Sequence, residues 1–486
     1  MGSPILPQVM EHRRPDCHEK DAVPESEAQC ARTNTACRAL MKPVLLISYY
    51  YPPSSAVGAV RPHKFAAHLP AHGWRPTIVT ASSPSHAEGM DHGHSEVEPV
   101  VSHAAEWPHP LKAYERFQER AAAKRGREQQ HAIKVVVPYT QCYAPPRGGL
   151  KRWVLAFLWL PDREIAWLVP AVLRGLREIR RSGIQHVITT GPPFSCHLVG
   201  LILKQLTGVR WIADFRDPWS LRHKFPIVRN GVTDRVETRL IAAVMRRADL
   251  IVSVTPAMTD EAKKEHPDIP IERFHTLMSG FDPADFSGLQ WSRPYPDPVI
   301  FSYFGTFYHG RTPEPFLGAL KSLLDDGSLK PQEVRVRFVG RVDLADGQPV
   351  QEMVRLLGLD SLVSLHPSVP RREALKQTLE SHVVLVLDER HPIQIPLKLY
   401  DAMAAGVTIF NIGSGGSAAD VVRQTGRGLA VSYERPAEIR AGILECVKCA
   451  RTGMTKLSAT PWDDPAIQDF HFHRLTARLA AYLNTV

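Results

Sequence analysis

The sequence predicts an α/β fold of parallel sheets divided between two domains. Short apolar runs such as Val44-Leu45-Leu46-Ile47 alternate with helical stretches, the order that builds parallel sheets. The 486 residues exceed what one ordinary core accommodates. A proline-rich segment, Trp291 to Pro298, contains Pro294, Pro296 and Pro298 and sets a domain boundary near residue 295.

Composition narrows the function classes. With 44% hydrophobic and 22% charged residues the chain reads as a soluble globular protein, which excludes disorder throughout. A net charge of +9 favours anionic partners such as nucleotide diphosphates or an acidic lipid surface. Nucleic acid is not expected: the basic residues are scattered among acids, and no zinc-finger, RRM-like or helix-turn-helix signature is present. Seven cysteines, an odd count in a large chain, argue against a disulfide framework and point to a reducing compartment. Cys446-x-x-Cys449 falls in a predicted helix without a second ligand pair, so packing is the favoured reading. No apolar run approaches the ~20 residues that span a bilayer, and the first forty residues lack a signal-peptide core.

Taken in order, residues 1–40 read as a poorly ordered extension with Pro4, Pro7, Pro15 and Pro24, and Met41 is a candidate natural start. Lys42 to Tyr51 opens the first sheet. Tyr51 to Gly58 forms its loop, Arg61 to His72 the next helix, and Arg75 to Ala81 the second strand. From Ser82 to about Gly149 the pattern dissolves, and His92-x-His94 reads as solvated loop because no third ligand accompanies it. Lys112 to Arg127 is helical and basic. With Trp153, Phe157, Trp159 and Trp167 it suits peripheral contact with an anionic membrane, and core packing of those aromatics is the equal alternative.

Ile165 to Arg181 reads as a helix, Gln185 to Thr189 as a strand, Cys196 to Thr207 as a helix and Val209 to Ala213 as a strand. Loops leaving the carboxyl ends of parallel strands are where such folds bind ligands. Pro192-Pro193 and the turn Asp214 to Trp219 occupy such ends. In that turn Asp217 can orient or deprotonate a hydroxyl and Arg216 can pair with phosphate, or the two form an ion pair that pins the turn. Arg239 to Arg247 is a helix, Asp249 to Val254 a strand, and Thr255 caps the helix carrying Met258 to Lys264. Val299 to Phe304 opens the second sheet and leads to Gly305, Thr306 and Arg311. Glu314 to Asp325 is the next helix, and Val334 to Gly340 and Val383 to Leu387 are further strands. Ile467 to Val486 is a terminal amphipathic helix.

The most informative stretch is Ile395 to Gly406, one short helix with proline in its first turn and glycine beyond its last. Lys398 adds positive charge where the helix dipole is already positive, which favours an anion at that point. One turn later Asp401 can accept hydrogen bonds from a sugar diol. A surface lysine with a solvated aspartate is the plain alternative. Val407 to Phe410 then reads as a strand, Asn411 to Ser417 as a glycine-rich loop and Ala418 to Gln424 as a helix. With Ser417 as N-cap, that helix start attracts phosphate, unless the loop is only a turn.

Asp401 to Gly406, the following strand and the Gly415-Gly416 loop resemble the C-terminal half of the Glu-x7-Glu segment of family-four GT-B glycosyltransferases. The resemblance matches the second acid, a ribose ligand, to Asp401. It places the first acid at Ile393, where this chain departs. The local pattern of Pro396 and Lys398 resembles bacterial surface-polysaccharide members, and Ser279-Gly280-Phe281-Asp282 resembles the family's Asn-Gly-(Val/Phe)-Asp segment with serine in place of asparagine. The resemblance implies a GT-B fold of two Rossmann-like, doubly wound domains facing a central cleft. It places the acceptor-side domain over 41–295, the nucleotide-sugar domain over 296–465, and a helix crossing back over 466–486. It further implies a hexosyltransferase-type enzyme that moves a sugar, with retention, from a nucleotide diphosphate sugar to a glycan or lipid-linked acceptor in cell-surface polysaccharide synthesis. Gly58, Gly305, Thr306, Arg311, Lys398, Leu399 and Asp401 fall to the donor and Arg216 and Asp217 to catalysis. Leaving-group charge is held by Arg311, Lys398 and helix dipoles, with neither metal nor cofactor. The expected location is cytoplasmic, peripheral on the inner face of the membrane. A sugar-nucleotide epimerase and an inactive glycosyltransferase-like scaffold are the alternatives. A serine hydrolase or dehydrogenase is disfavoured, because neither a Gly-x-Ser-x-Gly elbow nor a Gly-x-Gly-x-x-Gly loop is present.

Overall fold

The first half of the chain builds a seven-stranded sheet. Its strands are β1 (Lys42–Ile47), β2 (Trp74–Ser82), β3 (Val100–Ala105), β4 (His186–Gly191), β5 (Arg210–Phe215), β6 (Leu250–Ser253) and β7 (Phe274–Thr276). All pair in parallel, in the order β3-β2-β1-β4-β5-β6-β7. The second half contributes β8 (Val299–Thr306), β9 (Val334–Arg341), a small hairpin of β10 (Leu344–Ala345) and β11 (Gln348–Pro349), then β12 (Val363–His366), β13 (Val383–Asp388), β14 (Thr408–Gly413) and β15 (Gly428–Ser432). Apart from the hairpin these form a parallel six-stranded sheet in the order β12-β9-β8-β13-β14-β15. This computed structural model describes residues 41–82, 99–108, 160–219, 231–290, 298–307, 310–389, 391–452 and 461–486.

Alternation within β1 shows how the first sheet is covered. Leu45 and Ile47 face a core shared with helices Leu168–Ser182 and Ser195–Thr207, while Val44 and Leu46 face the opposite core, shared with helix Val60–His68. That second core also takes Phe472, Leu475, Leu479 and Leu483 from the terminal helix Phe472–Thr485, spaced so that one stripe meets the sheet. The end of the chain therefore packs on the first sheet. Its entry is fixed by two backbone bonds, Phe281 N–H to Phe470 O and Phe472 N–H to Phe281 O, both 2.9 Å. A Cβ at Gly280 would run into the Phe470 carbonyl, so the close crossing of two backbones accounts for that glycine.

Several expectations shift. The terminal helix begins at Phe472, after a 3-10 turn over Pro465–Phe470, rather than at Ile467. β3 lies inside the stretch read as patternless, because at this sheet edge only the small residues Ser102 and Ala104 turn inward. Trp167 is core, fully buried, with its indole N–H donating to Ala104 O at 3.2 Å. Cys446 packs in the second core and is a free thiol, as is Cys449. The extension 1–40, His92 and His94, the basic helix 112–127 with Trp153, Phe157 and Trp159, and the linker 291–297 lie outside the described residues.

Candidate active site

In each sheet the strand order reverses once, and an open α/β sheet binds ligands outside the strand carboxyl ends at such a point. The second sheet reverses between β8 and β13, which pair only at Phe301 with Val383 and Ser302 with Val384. Gly305 and Thr306 end β8, Asp388 ends β13, and Lys398 and Arg311 follow these strands.

Lys398 is the second residue of helix Leu397–Ala404, after the N-cap Pro396. Its Nζ is buried, has no hydrogen-bond partner and lies 3.1 Å from the centroid of the Tyr303 ring. That ring is held by the Tyr303 hydroxyl donating to Thr306 O at 2.9 Å. Gly305 stands at φ 135°, a backbone conformation that favours glycine, while a Cβ there would make only ordinary contact with Nζ, at 3.9 Å. Burial, and then the nearby Arg311 guanidinium, push the Lys398 pKa well below the ordinary lysine range, with Asp388 opposing them.

Asp388 is 1% exposed, and neither carboxylate oxygen has a hydrogen-bond partner. Burial pushes its pKa up to about 7 despite the pull of Arg311 and Lys398. An unfolded aspartate loses its proton near pH 4, so between roughly pH 4 and 7 the folded state binds more protons and stability falls as pH rises. Asp388→Asn is expected to remove this slope. Denaturant unfolding at pH 4 and pH 8 should show the variant gaining on the parent by on the order of 3 kcal/mol; parallel pH profiles would contradict it.

The first sheet reverses between β1 and β4. There the Arg216 guanidinium donates to the carbonyls of Gly58 and Pro192 and so ties the loops after both strands together. A Cβ at Gly58 would stand 3.0 Å from both terminal guanidinium nitrogens, so a side chain there would press on Arg216. Asp217 accepts a hydrogen bond from Gln394 Nε2, across from the other sheet. Burial raises its pKa, against Arg216, Gln394 and Arg311. Arg216 and Asp217 thus have separate partners and do not form a closed pair. Beside Gln394, Ile393 packs on the core of the first sheet and its carbonyl accepts from Thr255 Oγ1 at 2.7 Å. An acid at 393 would be pressed into apolar surface, which gives the departure from Glu-x7-Glu a packing cause.

Other expected residues stand elsewhere. Both Asp401 oxygens accept from Arg371, at 2.9 and 3.1 Å, and Arg371 also reaches Asp285 at 3.2 Å. Lys64 joins Asp285 to Asp282, which His68 contacts as well. Asp401 is therefore one end of an ion-pair chain running to helix Val60–His68, whereas Lys398 sits on Tyr303. Leu399 is fully buried in the core beneath the second sheet. Ser417 is the first residue of helix Ser417–Thr425 and not its N-cap, which is Gly416 at φ 92°. The Ser417 N–H donates to Pro392 O at 2.7 Å, so this helix start is already engaged. Sequence reasoning missed Asp388, Tyr303 and Gln394. For Asp388 the signal was present: an acid closing the apolar run Val383 to Leu387 marks the carboxyl end of a buried parallel strand.

No protein-family model matches the sequence, and no curated protein does either. Solved structures do. Sucrose-phosphate synthase from Thermosynechococcus elongatus is 16% identical with a TM-score of 0.58, covering 91% of this chain and 98% of that one. HepE from Anabaena, solved with UDP and glucose, is 13% identical with a TM-score of 0.55 over 92% and 100%. WaaG, a glycosyltransferase involved in lipopolysaccharide biosynthesis, is 12% identical with a TM-score of 0.53 over 91% and 100%. At such identities the likeness bears on architecture, and together with the two reversing parallel sheets it establishes that this chain has the two-domain GT-B fold of glycosyltransferases.

Proposed function

We propose that the protein is a glycosyltransferase that takes its sugar from a nucleotide diphosphate sugar. The observation that carries this reading is Lys398: a buried ammonium without a hydrogen-bond partner, at the positive end of a helix and beside Arg311. Such a group is costly when buried unpaired and is stabilised by a diphosphate. In the transfer, the bond from the sugar's anomeric carbon to the diphosphate oxygen breaks as the acceptor hydroxyl oxygen bonds to that carbon. Negative charge then grows on the diphosphate, where Lys398, Arg311 and the helix start oppose it. Asp217, which follows β5 of the first sheet and accepts from Gln394, is the carboxylate assigned to the acceptor's proton. Arg216 serves by holding the Gly58 and Pro192 loops in place.

The finer reading is a family-four, hexosyltransferase-type enzyme of cell-surface polysaccharide synthesis that works with retention and without a metal or cofactor. Its acceptor is a glycan or lipid-linked sugar, reached from the cytoplasmic face of the membrane. Support comes from the Pro396 to Gly406 pattern and from neighbours solved with UDP or UDP-glucose, as HepE was. Among the described residues no helix is long and apolar enough to cross a membrane. Calorimetry with UDP, GDP, ADP and TDP tests the core of the proposal. Binding of at least one is expected. Binding of none would leave the inactive scaffold, and release of a free altered sugar without an acceptor would leave the epimerase.

A further inference from the structure

We propose that the outer face of helix Leu168–Ser182, together with Trp107, is the surface by which this protein docks on an anionic lipid bilayer. The surface stands without any reading of the active site; its use, bringing a lipid-linked acceptor to the enzyme, rests on the glycosyltransferase reading. One stripe of the helix, Ala171, Val172, Gly175, Glu178 and Ile179, is buried against the protein. The opposite face carries Val169, Leu173, Arg177, Arg180 and Arg181, all exposed. Val169 and Leu173, four positions apart on one line of the helix, are 42% and 59% exposed, and Trp107 is 54% exposed. The Trp107 N–H donates to Ala166 O at 3.4 Å, which anchors its backbone one turn before Val169. Large apolar side chains left bare side by side mark a contact surface.

Charge names the partner. The one acid of this helix, Glu178, is buried and accepts from Ser102 Oγ at 2.8 Å. Arg174 donates to His103 O at 3.1 Å, and Glu106, the residue before Trp107, accepts from the Tyr49 hydroxyl at 3.3 Å. Among the described residues no carboxylate pairs with Arg177, Arg180 or Arg181. An apolar ridge that gives way to unpaired arginines fits lipid tails beside phosphate headgroups. A protein partner would need a groove to match this convex helix face, whereas a fluid bilayer deforms to it.

The direction of the helix sets where the bilayer lies. Its partners run backwards along β3: Trp167 donates to Ala104 O, Arg174 to His103 O, and Glu178 accepts from Ser102. The helix is therefore antiparallel to β3. Its apolar start, with Trp107, lies at the carboxyl end of the first sheet, the end that also carries Arg216 and Asp217 after β5. From β3 to β5 is four strand spacings, roughly 20 Å. A bilayer touching Trp107 and Leu173 thus comes up to the rim of the end assigned to the acceptor.

Co-sedimentation of the full chain with phosphatidylcholine vesicles, with and without about a third phosphatidylglycerol, at about 0.1 M salt tests this surface. The parent is expected to partition onto the anionic vesicles, and at least about tenfold more weakly onto the neutral ones. Leu173→Glu should lose at least about tenfold in partitioning, and so should Arg177→Gln, Arg180→Gln and Arg181→Gln combined. Leu356→Glu makes the same charge change at a leucine 74% exposed on helix Val350–Leu356, beyond the patch, and should bind as the parent does. All are surface changes, so the melting temperatures should agree. A parent that binds neither vesicle, or binding that Leu173→Glu leaves intact, would overturn the proposal. So would a dimer in sedimentation equilibrium that Leu173→Glu dissolves, since the face would then belong to a second copy. A chain that binds vesicles and no nucleotide would keep this surface and defeat the glycosyltransferase reading, a distinct outcome.

Discussion

Lys398→Met is expected to lower kcat/KM for sugar transfer by on the order of 10²–10³-fold while the melting temperature holds or rises. Methionine is one heavy atom shorter but unbranched and flexible enough to fill the path toward the Tyr303 ring, so the change chiefly removes the charge. Three sources of positive potential meet at this point: the ammonium, Arg311 and the start of helix Leu397–Ala404. No carboxylate is hydrogen-bonded to the Lys398 Nζ. Without ligand, the ammonium disfavours the folded state, because burial makes the charged form costly. Its removal should therefore stabilise the apo protein. With ligand, the same ammonium meets charge that is larger in the transition state than in the bound donor, so kcat should fall more than KM rises. Steady-state kinetics beside thermal unfolding checks both signs. Full turnover in the variant would detach the site from the chemistry; a melting temperature lowered by several degrees would show that Lys398 is a framework residue.

Much of this architecture was legible in the sequence because buried parallel strands are continuous apolar runs, and Val44 to Ile47 and Val383 to Leu387 announce themselves in that way. β3 did not, since an edge strand with only Ser102 and Ala104 turned inward carries no apolar signal. At the site the helix ends were readable from Pro396 and Gly406, and Lys398 from its conflict with the dipole. Spacing also suggested that Asp401 would share its face and its ligand. That inference stopped at the helix itself, because Arg371 lies thirty positions upstream in sequence and its claim on Asp401 depends on tertiary packing. Ile393 is a similar case. The missing acid has its cause in tertiary packing, which sets position 393 against the first sheet's core and turns Gln394 to Asp217 one position later. Local spacing locates a helix and its charge; only the fold says which side chain each charge meets.

The largest effect on stability is expected at Arg61 and Asp214. Arg61 is 3% exposed and Asp214 2%. The guanidinium grips the carboxylate through Nε at 3.0 Å and Nη2 at 2.8 Å, and Thr190 Oγ1 donates to the same carboxylate at 2.8 Å. The remaining guanidinium protons go to Met278 O at 2.7 Å, Leu277 O at 2.8 Å and Ser279 Oγ at 3.5 Å. One buried cation thus ties together helix Val60–His68, the ends of β4 and β5, and the segment that leads to the crossing at Gly280. Burial alone would raise the Asp214 pKa, but Arg61 and Thr190 hold it below the ordinary carboxylate value. The stability this contributes is accordingly present above the unfolded pKa near 4 and lost as pH falls through the folded value. Arg61→Met leaves a carboxylate buried without its cation, and Asp214→Leu leaves the cation. Each single change is expected to cost about 3–5 kcal/mol, or on the order of 10 °C in melting temperature. The double variant should recover most of that loss, because no unpaired charge remains. Denaturant unfolding of the four proteins measures the coupling: additive single and double losses would mean that the two groups act separately. A single variant that loses under about 1 kcal/mol would mean that water already reaches this pair.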